Sequence, residues 1–385
     1  MLRDRWFFGR RARSFTLQWH LTNACAFHCQ HCYDRSTREE LSLTDANRVL
    51  RELVDFTRRH RVVPQVCLTG GDPLRYPFFW ELYAAIARAG LRVSLLGNPI
   101  PRETIERLLQ IQPPLYYQVS LEGLPPHNDA MRGPGHYDRT IEFLTTARDL
   151  GLRTHVMLTL ARANLAQVLP LGEALRLLTC RLTFNRLAQV GEAADLAAPD
   201  RGEYVDFLRA YLAARRENPV LGVKDNLLNI LRHHFRRPLF PGCTGVGCGA
   251  AFNFVALLPD GEIHACRKFP SPIGHIRENT LDACYHSAAA ARYRRGPEPC
   301  QGCPLRNSCG GCPAVTYGQG LHPLRDRDPH CFLAECREML ARAPRPAPAY
   351  LDSTSITTVD TVPSAARGMR SSIRPSEAEA LPSLR

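Results

Sequence analysis

Nowhere in its 385 positions does the chain carry a run of 18 or more apolar residues, so it offers no helix able to cross a bilayer. It also lacks an export signal. Arg10-Arg11 resembles a twin-arginine pair, but residues 14–25 alternate as an amphipathic strand does and form no apolar h-region. Absent too is a compact basic block with interleaved aromatics, because the formal net charge of +12 comes mainly from arginines scattered over helix faces and linkers. Solvated surface is the reading of that charge, with an acidic peptide or a tRNA as minority partners. Residues 1–13 precede the first strand candidate, an extension with no space for a separate N-terminal domain.

A hydrophobic content of 44% over this length is enough for a sizeable core, either two domains or one barrel with an appendage. Strand-like runs fall at 15–21, 65–69, 92–97, 116–121, 154–160 and 181–185. Helical stretches at 43–59, 77–89, 102–110, 137–150 and 165–178 lie between them, and another at 203–216 follows. Six β-α units of this length predict an α/β fold with a parallel sheet and right-handed crossovers. In a barrel of such units the chemistry sits at the carboxyl ends of the strands. Residues 341–385 turn to Pro, Ser, Thr, Ala and Arg without periodicity, which predicts a disordered tail.

Fifteen cysteines without a signal segment point to metal binding in a reducing compartment, hence the cytoplasm. The densest group is Cys25-Ala-Phe-His-Cys29-Gln-His-Cys32, directly after the first strand-like run. A four-iron cluster normally takes four cysteines, so three leave one iron open to a small molecule. The bland alternative is zinc, with His28 or His31 as fourth ligand. Nine more cysteines form Cx4Cx17C (Cys243, Cys248, Cys266), Cx2Cx5Cx2C (Cys300, Cys303, Cys309, Cys312) and, counted on from Cys312, Cx18Cx4C (Cys331, Cys336). They suffice for two four-ligand centres with one thiol spare, or for a pair of zinc ribbons. Cys67, Cys180 and Cys284 stand alone on apolar stretches and read as small buried hydrophobes.

CxxxCxxC at the end of a first strand resembles the signature of the radical S-adenosylmethionine enzymes. That resemblance implies a partial (β/α)6 TIM-like barrel over residues 14–220, with Cys25, Cys29 and Cys32 holding a catalytic [4Fe-4S] cluster whose open iron takes S-adenosyl-L-methionine. One electron then yields a 5′-deoxyadenosyl radical, which abstracts a hydrogen atom. Thr69-Gly70-Gly71-Asp72-Pro73 resembles the family's GGEP segment, placing Gly70, Gly71 and Asp72 by the cofactor's amino group; Asp72 replaces the usual glutamate. Glycines there let backbone approach a ligand closely. Val119-Ser120-Leu121-Glu122-Gly123 with His127-Asn128-Asp129-Ala130-Met131-Arg132-Gly133 resembles the passage in which a serine contacts the cofactor and an arginine forks onto its carboxylate. Ser120 and Arg132 occupy those places. His31 stands where the family often has an aromatic residue stacked on adenine, and Asn185 and Leu187 are candidates for the adenine side.

The nine later cysteines resemble the SPASM extension of radical maturases, a small cysteine-rich domain with two auxiliary [4Fe-4S] clusters that, together with a linker, takes residues 221–340. The family pattern assigns Cys243, Cys248, Cys266 and Cys312 to the first and Cys300, Cys303, Cys309 and Cys331 to the second, with Cys336 competing for the last place. Pro259-Asp260-Gly261 resembles the hairpin of that domain. The implied function is a radical SAM/SPASM maturase, an oxidoreductase-type enzyme that oxidises, cyclises or cross-links a ribosomally made peptide. It would need a reductant such as flavodoxin or ferredoxin, and either a separate leader-recognition protein or its own SPASM surface to hold the leader. Residues 23–35 and 184–191 resemble the branch associated with thiazole- or selenazole-type modification. A sulfatase-maturase-like dehydrogenase is the enzyme alternative, but those proteins carry an acid directly after the hairpin cysteine, where this chain has Arg267. A zinc-ribbon protein binding nucleic acid is the alternative of another class.

Overall fold

The computed structural model describes residues 12–342. The tail expected to be disordered lies, apart from its first two residues, outside them. Among the described residues no helix is long and apolar enough to cross a membrane.

β1 (Ser14–His20) shows why the chain forms a sheet here. Phe15, Leu17 and Trp19 are buried while Thr16 and Gln18 are half-exposed, the period of two that a strand imposes. β2 (Val63–Thr69), β3 (Arg92–Leu96), β4 (Tyr117–Ser120), β5 (Thr154–Leu160) and β6 (Arg181–Arg186) follow in sequence order, each parallel to the one before. The crossovers run through α1 (Leu43–His60), α2 (Phe79–Arg88), α3 (Arg102–Ile111), α4 (Pro125–Arg132) with α5 (His136–Asp149), and α6 (Val168–Ala174). The result is the expected partial-barrel α/β architecture.

Helix boundaries follow local chemistry. Ser42 caps α1 by accepting from the Asp45 amide, and Arg61 ends the helix in the left-handed conformation. Between those points Ala46, Val49, Leu50, Leu53 and Phe56 form one buried face. α4 emerges from the stretch that resembles the family passage, where the sequence reading expected no helix. Pro125 and Pro126 supply the fixed φ of its first turn, where no amide is needed. The helical run expected over 165–178 is shorter and begins as a 3₁₀ turn, Arg162–Gln167, pinned where Asn164 accepts from the Ala161 amide.

After α7 (Arg201–Ala214) and α8 (Leu228–His234) the chain returns to the barrel sheet. β7 (Phe254–Leu257) pairs in parallel with β1, Thr16 opposite Phe254, and then turns through the hairpin to β8 (Glu262–His264) and β9 (Pro272–His275). Gly261 adopts φ +101° at that turn. The nine strands therefore form one sheet, in the order β6-β5-β4-β3-β2-β1-β7-β8-β9. The cysteine-rich segment is joined to the barrel through backbone hydrogen bonds. α9 (Leu281–His286) packs back onto α1, and short helices α10 (Ala288–Arg295), α11 (Pro313–Gly318) and α12 (Cys336–Ala341) complete the described chain.

Candidate active site

The strand ends converge on a cavity of about 470 Å³. Cys25, Cys29 and Cys32 all line it, as do His31, Gly70, Gly71, Ser120, Arg132, Asn185 and Leu187. The cysteine loop is fixed from several sides. Gly71 donates its amide to the Thr22 carbonyl at 2.8 Å and Asp72 to that of Ala24 at 2.9 Å. Glu192 donates to the Cys32 carbonyl at 2.9 Å, and the Arg35 guanidinium to that of Cys29 at 2.9 Å.

The two glycines after β2 are explained by this packing. A Cβ on Gly70, which has φ +140°, would stand 2.2 Å from the Thr22 oxygen, and one on Gly71 would stand 2.6 Å from that of Ala24. Their close approach is to the backbone of the cysteine loop. Asp72 does not line the cavity: its carboxylate accepts from the Leu74 amide at 3.2 Å and caps the turn that follows. In this structure the Asp72 side chain caps its own turn, so what the GG-Asp segment brings to the cavity wall is the two glycines.

Arg132 lies at the last position of α4, aimed into the cavity. Its Nε and Nη2 donate to Glu122 Oε1 at 2.9 and 2.6 Å, and its Nη1 is 3.7 Å from Cys29 Sγ. Glu122 sits just beyond β4 and is 1% exposed. Its other oxygen accepts from the Thr159 amide at 2.8 Å, and His31 Nε2 approaches Oε1 at 3.1 Å. Burial alone would raise this carboxyl, but His31 and Arg132 outweigh it and hold the group down at about 2. With Nε2 turned to Glu122, His31 presents its buried Nδ1, which has no hydrogen-bond partner. Asn98, following β3, donates to Cys25 Sγ at 3.7 Å. Burial pushes the Cys29 thiol up, and the adjacent Arg132 acts in the opposite sense. Three thiols opening onto one cavity, with amide and guanidinium donors at two sulfurs and an unpartnered imidazole nitrogen nearby, fit a thiolate-bound cluster with room for a polar ligand.

Sequence reasoning missed Glu122 and Asn98 as members of the site. Both directly follow strands, Asn98 two residues past β3 and Glu122 two past β4, and that position was the available signal.

The later cysteines separate into two sets. Cys243, Cys248, Cys266 and Cys312 lie within electrostatic reach of one another. Cys300, Cys303, Cys309 and Cys331 line a second cavity of about 200 Å³. Cys336 is buried in the core at the start of α12 and does not line that cavity. Burial pushes Cys243 up to about 12 and Cys300 up to about 11. Packing alone thus favours neutral thiols, and a metal centre would supply the charge that draws off their protons.

One short segment positions both sets. Asn226 accepts from the Cys243 amide at 2.8 Å and donates to the Gly311 carbonyl at 3.1 Å, while Asn229 donates to that of Ser308 at 2.7 Å. Asp225 and Asp328 both receive the buried Arg186 from the end of β6, and Asp328 also accepts from the Cys312 amide at 2.8 Å. The chain's only two lysines are here as well. Lys268 lines the catalytic cavity with Arg267 and lies within electrostatic reach of Cys266, Cys312 and Cys243. Burial, together with Lys268, brings Lys224 down to about 8.

Residues 19–171 match the family model of the Radical SAM superfamily, and residues 248–312 match that of SPASM, an iron-sulfur cluster-binding domain. Mycofactocin maturase MftC of Mycobacterium tuberculosis is 30% identical over 357 residues, covering 86% of each chain. The AdoMet-dependent heme synthase of Methanosarcina barkeri is 25% identical over 347 residues, covering 82% of this chain and 95% of its own. Among solved structures, Streptococcus suis SuiB bound to the precursor peptide SuiA superposes with a TM-score of 0.66 at 18% identity, over 83% of this chain and 76% of that one. The two matched segments, and a relative that shares nearly the full length of both, show that the chain belongs to the radical SAM superfamily and carries a C-terminal SPASM domain.

Proposed function

We propose that the chain is a peptide maturase that uses S-adenosyl-L-methionine and a [4Fe-4S] cluster to modify a ribosomally synthesised peptide. The observation that carries this reading is the similarity to MftC over 86% of both chains, too long to be confined to the barrel. The cofactors are those of the family: S-adenosyl-L-methionine, the catalytic cluster, and auxiliary clusters in the SPASM domain. When bound and reduced, this assembly supplies a 5′-deoxyadenosyl radical.

The chain's residues take the following roles in this reading. Cys25, Cys29 and Cys32 bind the catalytic cluster and leave one iron free, as three thiolates must. Gly70 and Gly71 hold the cysteine loop against β2 so that the sulfurs face the cavity. Arg132 presents a guanidinium to the cofactor's carboxylate, oriented from behind by Glu122. His31 offers Nδ1 to a polar group of the cofactor, and Ser120, Asn185 and Leu187 line the remaining wall. Cys243, Cys248, Cys266 and Cys312 bind one auxiliary cluster, and Cys300, Cys303, Cys309 and Cys331 the other. A flavodoxin- or ferredoxin-type reductant supplies the electron, and a separate protein or the SPASM surface holds the leader.

The heme synthase similarity supports a second reading, tetrapyrrole chemistry. One experiment separates the two. The anaerobically reconstituted enzyme is given reductant and S-adenosyl-L-methionine, with either a short precursor peptide encoded beside its gene or a heme precursor, and the products are read by mass spectrometry. A mass change in the peptide, with 5′-deoxyadenosine formed alongside, supports the maturase. Turnover of the tetrapyrrole alone overturns it.

A further inference from the structure

Away from both cysteine sets, where α9 packs against α1, three side chains converge. His60 is the last residue of α1, and Asp282 and His286 stand four apart on one face of α9. His60 Nε2 is 2.9 Å from Asp282 Oδ1, and His286 Nε2 is 3.9 Å from the same oxygen. All three donor atoms lie within 4.8 Å of one another. We propose that His60, Asp282 and His286 form a binding site for a borderline divalent cation of the zinc type, a mononuclear centre independent of the iron-sulfur clusters.

The donor chemistry selects the ion. Two imidazoles and one carboxylate suit zinc, nickel or copper over calcium and magnesium, which prefer all-oxygen shells. Tetrahedral zinc with ligands at about 2.0–2.2 Å sets its donors roughly 3.3 Å apart, so only small side-chain shifts would close the present spacing around an ion. Three protein donors leave a fourth position for water, and the site is open enough to admit one. The side chains of His60, Asp282 and His286 are 16%, 28% and 39% exposed.

The surroundings hold the ligands in place. Arg59 Nη1 pairs with Asp282 Oδ2 at 2.7 Å, which fixes the carboxylate with Oδ1 turned towards the two imidazoles. Ligating carboxylates are commonly oriented by such outer hydrogen bonds. The His60 ring is bedded among aromatics, its centroid 4.3 Å from that of Phe56 and 5.7 Å from that of Tyr285. The His286 ring faces it at 5.4 Å. Glu52 of α1 accepts from the Leu281 amide at 2.7 Å, so the two helices are already in register. A bound ion would clamp the barrel to the cysteine-rich domain, because its donors come from both.

The competing account is a plain hydrogen-bonded cluster in which a protonated histidine answers the carboxylate, and zinc itself tells the two apart. The iron-loaded enzyme is dialysed against micromolar zinc, and iron and zinc are counted in the wild type, His60→Ala and His286→Ala. The expected result is one zinc more per chain in the wild type than in either variant, with iron equal in all three. Zinc should also raise the melting temperature of the wild type and leave that of His286→Ala unchanged. Should His60→Ala fold poorly for want of its ring, the more exposed His286→Ala carries the test. Equal zinc in wild type and His286→Ala, or no zinc in the wild type, overturns the proposal.

Discussion

Arg186 meets both carboxylate oxygens of Asp328 at 2.7 Å, with the two side chains 2% and 3% exposed. This fork joins the last barrel strand to the loop between the two sets of auxiliary cysteines. Asp328 also accepts from the Cys312 amide, and the Cys331 amide donates to the Asp328 carbonyl at 2.9 Å. Removing one side of a buried pair leaves the partner's charge uncompensated, at a cost of roughly 3–5 kcal/mol. Arg186→Ala strands two carboxylates, since Asp225 shares the guanidinium. We expect it to lower stability by at least that much in denaturant titration and to lose auxiliary iron after reconstitution. Full iron with an unchanged midpoint would remove the fork from the account.

The alternating buried and half-exposed residues of β1, and the cysteine triplet after it, were legible because the signal for each is local. Arg186 shows where legibility ends. A strand-end arginine carries no mark of the aspartates 39 and 142 residues later that neutralise it. Glu122 was hidden for a related reason, since a glutamate reads as surface until the fold buries it between His31 and Arg132. The pairing of β7 with β1 joins residues more than 230 positions apart, and no periodicity within either segment encodes that register. The capping bond from the Leu74 amide to Asp72 was likewise not visible in the motif, which marks only the residue's position.

Gly71 offers a steric test of how the cysteine loop is held. An added Cβ would meet backbone oxygens of Asn23 and Ala24, each 2.6 Å away, and neither can swing aside as a flexible side chain would. Gly71→Ala should displace the loop and abolish 5′-deoxyadenosine formation. Iron should fall by about four from the roughly twelve that three four-iron clusters require, with the auxiliary set retained. Retention of all the iron would show that the loop is set by other contacts.

Lys268 puts a positive charge near Cys266, Cys312 and Cys243. In the proposed assignment these cysteines hold an auxiliary cluster, whose reduction would add an electron, so a nearby cation would favour the reduced form. Lys268→Met should make that auxiliary midpoint potential more negative by on the order of 50 mV, equivalent to about 1 kcal/mol of charge interaction for one electron. Redox titration followed by electron paramagnetic resonance reads the shift. No change, or a positive one, would mean that the ammonium is turned away or screened.

His136 gives a pH dependence with a definite sign. Burial, with Arg132 and Arg139 nearby, lowers it to about 4, and its Nδ1 lies 3.2 Å from the Asn128 amide nitrogen. Below its ordinary value near 6.5 the unfolded chain takes up a proton that the folded chain refuses, so stability drops as pH falls from about 6.5 towards 4. Between pH 7 and 5.5 the wild type should lose roughly 1 kcal/mol that His136→Gln does not. Urea titration of both proteins at the two pH values measures the difference. Parallel losses would assign the pH effect to other groups.

Arg132 carries the sharpest test of the cofactor pocket. Glu122 occupies its Nε and Nη2 through a single oxygen, which fixes the plane of the guanidinium and leaves Nη1 beside Cys29 Sγ at the cavity wall. In Arg132→Lys a compact ammonium must choose between Glu122 and the cavity, and it cannot hold a planar fork towards a bound carboxylate. Losing that charge-assisted contact costs about 1.5–3 kcal/mol, which weakens S-adenosyl-L-methionine binding by roughly tenfold or more. Iron should stay at the wild-type level, since all three cysteine ligands are kept. Glu122→Gln should act in the same direction but more mildly, because the arginine keeps its charge and loses only its anchor. Affinity and iron measured in the same reconstituted sample decide the matter. Unaltered affinity in Arg132→Lys with full iron would reduce the arginine to a partner of Glu122 and leave the cofactor's carboxylate to another donor in the cavity.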